Sequence, residues 1–183
     1  MRAPFSGILA HLLATHEVLE SVGVSHGLIG GWAVIAWGRV RATRDVDWLA
    51  EIPVSRKKEI LLLLAAFGKP DWREAGEDDP IAGLIRVVPK TEDGIVTDIL
   101  LARSKADREA LGRCVRVEIS GCLLPTVRPE DIVAMKLQAG GGLDCDDACA
   151  ILSAQSEKID EALLLTACRR RRVLDRLALI RKK

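Results

Sequence analysis

The segment R-A-T-R-D-V-D-W-L, residues 41 to 49, sets Asp45 and Asp47 two residues apart in a pattern that otherwise reads as a β-strand. Strands disfavour aspartate, and like charges on one face repel, so such a pair needs a compensating partner. Side chains alternate along a strand, which places Asp45 and Asp47 on one face and Val46 and Trp48 on the other. The two aspartate Cα atoms are then roughly 6.5 Å apart. A third acid, Asp98, stands in I-V-T-D-I-L-L-A, flanked at i±2 by Val96 and Leu100. A carboxylate on that apolar face is costly to bury unpaired. Magnesium takes oxygen ligands and keeps phosphate and water in its shell, so it would satisfy all three acids. Taken singly, Asp45 and Asp47 also suit the solvent face of an edge strand, and Asp98 suits a device against aggregation.

Upstream, Gly30 and Gly31 follow a short apolar run and open a helix, where backbone amides can approach an anion. The stretch G-L-I-G-G-W-A has no G-x-G-x-x-G spacing, and no G-x-x-x-x-G-K occurs. Phosphate near the glycines and metal near three aspartates together suggest a nucleoside triphosphate and in-line attack at phosphorus. Arg41 and Arg44 just precede the acids; each either contacts phosphate or, for Arg44, neutralises Asp45. Arg86, in G-L-I-R-V-V, reads as an exposed strand position.

The elements that must position these groups follow from periodicity and punctuation. Residues 5 to 22 are expected to form an amphipathic helix ending near Gly23, followed by a short strand into Gly30, a helix over 32 to 38, and a strand D-V-D-W-L-A-E-I halted by Pro53. Ser55 is a candidate cap for the helix R-K-K-E-I-L-L-L-L-A-A-F, and residues 70 to 80 read as a loop. A-G-L-I-R-V-V and I-V-T-D-I-L-L-A form one expected hairpin, C-V-R-V-E-I and C-L-L-P-T-V another, the latter arm ended by Pro125. A short helix falls between them over 104 to 112. From Pro129 only helices are expected: R-P-E-D-I-V-A-M-K-L-Q-A, broken at Gly140 to Gly142, then D-C-D-D-A-C-A-I-L-S-A-Q and two more. An α/β or α+β core over residues 1–125 with a C-terminal helical segment over 126–183 is the expected organisation.

With 183 residues, 49% hydrophobic and 29% charged, the composition is that of a globular protein. No apolar run approaches the ~20 residues of a membrane span, and the N-terminal stretch I-L-A-H-L-L-A reads as an amphipathic helix rather than a signal peptide. Five cysteines without a C-x-x-C pair suggest reduced thiols and a cytoplasmic setting. The three histidines, His11, His16 and His26, read as helix surface or satisfied core: His11 and His16 are five apart, off one helix face, so no zinc site is expected. From Arg169 to Lys183 eight Lys/Arg stand against one Asp, a local +7 on a chain whose net charge is +1. Such a tail fits either a polyanionic partner or the solvated face of a terminal helix.

These residues resemble a known group. The glycine pair at 30–31, R-A-T-R-D-V-D-W-L at 41–49 and V-T-D-I-L at 96–100 are similar to the signature of the DNA polymerase β-like nucleotidyltransferase superfamily. The likeness is greatest to small bacterial enzymes grouped with AbiEii-type and MenT-type toxins, which share G-G-x-A, R-x-T-x-D-x-D and P-E-D-x-x-A-M-K-L-x-A. It spans residues 25 to 152. The resemblance implies a mixed sheet with flanking helices, two Mg2+ ions held by Asp45, Asp47 and Asp98, and Asp98 accepting a proton from the attacking hydroxyl. It also implies nucleotide binding by Gly30, Gly31, Arg44 and Lys136. Asp144 and Asp147 match a D-x-x-D of the family but read equally as helix caps, the favoured reading. Two departures stand out: Trp32 where relatives carry a small residue, and Gly140–Gly142 where relatives often carry Arg. The implied reaction moves a nucleoside monophosphate from an NTP to an acceptor hydroxyl. The acceptor is a tRNA end or other nucleic acid, the tail favouring it mildly, or a small molecule such as an antibiotic. A cognate antitoxin is an expected partner, and a silent nucleotide-binding module of the same fold is the alternative.

Overall fold

The structure, a computed structural model, describes residues 7–76, 81–92 and 94–182. Among these, chain order runs α1 (Ile8–Ser21), β1 (Ser25–Leu28), α2 (Gly30–Ala36), β2 (Asp45–Glu51), α3 (Lys57–Leu64), β3 (Lys69–Glu74), β4 (Gly83–Val88) and β5 (Val96–Leu101). It continues with α4 (Lys105–Gly112), β6 (Val115–Ile119), β7 (Cys122–Thr126), α5 (Pro129–Ala139), α6 (Gly142–Ala154), α7 (Glu161–Arg170) and α8 (Leu174–Ile180). The strands form one mixed sheet in the order β3-β4-β5-β2-β1-β7-β6. This is the expected α/β mixed sheet with flanking helices. No described helix is long and apolar enough to cross a membrane.

Strand alternation divides the core. On one face Val46, Trp48, Ala50, Ile85 and Ile99 pack with Leu12 and Leu19 of α1 and Ile60 and Leu64 of α3. On the other, Leu49 packs with Val34 of α2, Ala110 of α4 and apolar residues of α5 to α8. The C-terminal helices are therefore part of the layer that covers the face carrying Asp45 and Asp47. Buried ion pairs fasten them: Arg171 Nη2 lies 2.8 Å from Asp107 Oδ1, and Arg113 Nη2 lies 2.8 Å from Asp131 Oδ1.

Several local expectations need correction. Residues 69–74 are a strand, not a loop: Trp72 opposes Ile85 on β4, and β3 is the sheet edge, where proline is tolerated. Residues 77–80 of that expected loop, and Asp93 of the β4–β5 turn, lie outside the described residues. Ser55 caps nothing. A 3-10 turn over Val54–Arg56 bonds Arg56 N to the Pro53 carbonyl, so Ser55 is already inside a turn where capping needs extended backbone. Strand β7 runs through Pro125 to Thr126, and the β6–β7 hairpin turns on Ser120 and Gly121, both at positive φ. Helix α6 starts at Gly142 with Gly141 as its cap and no side-chain cap bond, so Asp144 and Asp147 are not capping residues.

Part of the basic tail is spent within the fold. Arg171 is buried against Asp107 and Gln138, Arg181 forks onto Glu161, and Arg176 donates to the Leu137 and Gln138 carbonyls that end α5. Arg171→Ala leaves Asp107 buried beside only its backbone donors. It is expected to cost about 3 kcal/mol, the low end for breaking a buried pair, whereas Arg169→Ala, at an exposed position, should change little. Chemical denaturation of the two variants checks this.

Candidate active site

Strands β2 and β5 run parallel, and Asp47 is the register partner of Asp98. Paired residues on adjacent strands share a face about 5 Å apart, so the convergence expected of the three acids is met in the fold. Asp98 is buried, Asp47 is half-buried, and Asp45 sits exposed at the strand's start. Thr43 Oγ1 donates to Asp45 Oδ1 at 2.9 Å.

The glycine pair wraps Asp47. Gly30 has φ +60, and a Cβ there would overlap the Asp47 carboxylate, so backbone and side chain touch only because Gly30 has no side chain. The Gly31 amide donates to Asp47. A Cβ at Gly31 would in turn strike the Thr43 side chain and approach the Arg41 guanidinium. Both glycines thus serve the carboxylate, and Gly30 also lines the cavity beside it.

Cations ring the acids. Arg86, on β4 opposite Asp98, donates from Nε to Oδ1 at 2.8 Å and from Nη2 to Oδ2 at 2.5 Å. It is the exposed strand position the sequence implied, and the register of the expected hairpin adds what the sequence did not assign, a partner in Asp98. Lys136 Nζ lies 2.8 Å from Asp144 Oδ1 and 3.0 Å from Asp147 Oδ2. Asp147 is fully buried and also takes Arg39 and Arg41. The D-x-x-D of α6 is therefore an anchor that holds Lys136 beside Asp47. Arg44 is exposed and forms no ion pair among the described residues.

Beside Asp47 opens a cavity of about 330 Å³, with Gly30, Lys136 and Asp144 at its polar end. Leu49, Leu100, Ile132 and Met135 supply apolar lining, and Asp107 and Arg171 line it as well. Trp32 packs against the opposite core, away from this cavity. Gly140 makes room for Arg176, whose guanidinium occupies the space a Cβ would take. The departures at 32 and 140 thus leave the cavity clear.

Burial, and then the charges of Asp45 and Asp98, push the Asp47 carboxyl up to about 6, against the pull of Lys136 and the Gly31 amide. Three crowded carboxylates, one resisting ionisation, are a donor set that fits a hard divalent cation. A carboxyl that binds its proton more tightly when folded adds stability at low pH and withdraws it as pH rises through about 6. Asp47→Asn is therefore expected to exceed the parent in stability at pH 7.5 without divalent cation, by on the order of 2 kcal/mol, and to match it near pH 4. Thermal melts at both pH values decide.

No protein-family model and no curated protein sequence matches the chain. Solved structures do. The antibiotic-resistance factor ANT(2'')-Ia superposes with a TM-score of 0.58 at 19% identity, over 94% of this chain and 94% of that one. An antigenic nucleotidyltransferase-like protein from Paracoccidioides brasiliensis gives 0.53 at 16% identity, over 99% and 91%. The lincosamide antibiotic adenylyltransferase LnuA, in its lincomycin-bound form, gives 0.52 at 17% identity, over 80% and 95%. The fold is that of the nucleotidyltransferases, as the resemblance implied.

Proposed function

We propose that this chain is a magnesium-dependent nucleotidyltransferase that moves a nucleoside monophosphate from an NTP to an acceptor hydroxyl and releases pyrophosphate. The observation carrying the reading is the in-register pairing of Asp47 with Asp98, with Asp45 one pleat away, at the mouth of a cavity edged by Gly30 and Lys136. Asp45, Asp47 and Asp98 are the residues that would hold two Mg2+ ions, which, when bound, supply charge neutralisation on the triphosphate and activation of the attacking oxygen. Lys136, held beside Asp47 by Asp144 and Asp147, would offer its ammonium to phosphate oxygens. Gly30 and Gly31 let the triphosphate approach the backbone, and the apolar wall of Leu49, Leu100 and Met135 takes the base. Asp98 keeps one lone pair on each oxygen beyond its bonds to Arg86, enough to accept the proton of the acceptor hydroxyl.

A small-molecule hydroxyl is the favoured acceptor. Arg170, Arg171, Arg176 and Arg181 are committed to internal partners, which weakens the case for a tRNA end held by the tail. The fold-mates ANT(2'')-Ia and LnuA are described by their antibiotics, in keeping with this choice. A cognate antitoxin belongs to the rival, nucleic-acid reading. NTP and Mg2+ supply suits a cytoplasmic setting.

The test measures pyrophosphate release with each of the four NTPs, Mg2+ and a panel of hydroxyl acceptors, tRNA included. Release should fall at least about 10³-fold in Asp45→Asn and Asp47→Asn. Lys136→Met should chiefly raise the KM for NTP. Turnover surviving the aspartate changes would overturn the assignment.

One observation favours a second reading. Because Arg86 grips both oxygens of Asp98, the third carboxylate is already neutralised, which suits a protein that binds nucleotide without transfer. Arg86→Gln distinguishes the two: a silent module gains metal affinity and shows no turnover before or after the change, whereas an enzyme turns over beforehand and loses that turnover as Asp98 loses its position.

A further inference from the structure

The sequence did not pair His16 with His26, yet the fold brings them together on the face of the sheet opposite the carboxylates. His16 lies on α1 and His26 at the start of β1; His16 Nδ1 and His26 Nε2 are 2.7 Å apart. Glu20 is one helical turn beyond His16, on the same face. The ligating atoms of His16, Glu20 and His26 all lie within 4.8 Å of one another. His11 is a different case, half-buried, 2.6 Å from Thr97 Oγ1 and packed T-shaped against Phe67.

Orientation points the same way. His26 Nδ1 is 2.7 Å from the Val24 carbonyl, so that nitrogen carries the ring proton and Nε2 presents a bare lone pair toward His16. A backbone carbonyl that fixes a tautomer in this manner is what metal-ligating histidines generally have behind them. Both rings also pack on buried Trp48, His26 edge-on with centroids 5.3 Å apart and His16 stacked at 6.0 Å, which restricts their rotation. Two nitrogens bound to one tetrahedral zinc at 2.0–2.1 Å stand about 3.3 Å apart. The rings therefore need to part by only about 0.6 Å from 2.7 Å. The His16 proton then moves from Nδ1 to its outer nitrogen through water, with no net proton gained or lost. The opposing charge is Arg116, whose Nη2 is 3.7 Å from Glu20 Oε1; both side chains are more than half exposed, so Glu20 can turn from it to an ion.

We infer that His16, Glu20 and His26 form a binding site for a transition-metal ion of the zinc class, separate from the magnesium-type carboxylate cluster. Two imidazoles and one carboxylate are donors that select Zn2+ or Co2+ over Mg2+. Three protein ligands leave a position for water. The ion would tie α1 to β1 directly behind Trp48, whose strand neighbour is Asp47.

Co2+ titration of the Asp45→Asn/Asp47→Asn chain in excess Mg2+ tests this, since it silences the other cluster. One equivalent is expected to give visible d–d bands without the thiolate charge-transfer bands that cysteine ligation would add, to quench tryptophan fluorescence, and to be displaced by Zn2+. His16→Gln, at a half-buried position, should weaken binding at least about tenfold, Glu20→Gln less, and Arg116→Gln should strengthen it. No binding, thiolate bands, or an affinity unchanged by His16→Gln overturns the site.

Discussion

Crowded negative charge on one strand face is the constraint around which this molecule is arranged. Asp47 and Asp98 are neighbours across a parallel pairing, and Asp45 lies on the same face. Without compensation, burial and mutual repulsion force protonation, and the Asp47 carboxyl already moves in that direction. The compensations come from four separate places in the chain. They are the Gly31 amide ahead of the strand, Thr43 at its start, Arg86 on the next hairpin arm, and Lys136 on a C-terminal helix.

Each compensation explains a feature of the architecture. The glycine pair is demanded by contact, since any side chain at position 30 would occupy the Asp47 carboxylate. Asp147 is buried because it gathers Lys136, Arg39 and Arg41, and so ties α6 to α5 and to the segment leading into β2. The basic residues near the C-terminus serve the same economy of charge, covering Asp107 and Glu161 and closing the end of α5.

Much of this was legible locally. The Asp-x-Asp alternation, the upstream glycines and the isolated Asp98 all follow from a period of two and from the cost of an unpaired carboxylate. The hairpins announced themselves through Gly-containing turns. What stayed hidden depended on partners distant in sequence. Lys69–Glu74 has loop composition and becomes a strand because β4 offers it a free edge. Asp144 and Asp147 look like caps until Lys136, on the preceding helix, and the arginines of 39–41 reach them.

By itself the sequence determined which groups exist and how they are spaced: three carboxylates at strand positions, two glycines where backbone must come close, and helices from Pro129 onward. Those are consequences of local periodicity and of what each residue type tolerates. Only the tertiary structure decided which charges meet. The parallel register of β2 and β5 set Asp47 against Asp98, the β4 hairpin delivered Arg86, and α1 laid His16 on His26. Electrostatic and hydrogen-bonding partnerships act over a few ångströms in space, whatever their separation along the chain, so no local pattern encodes them.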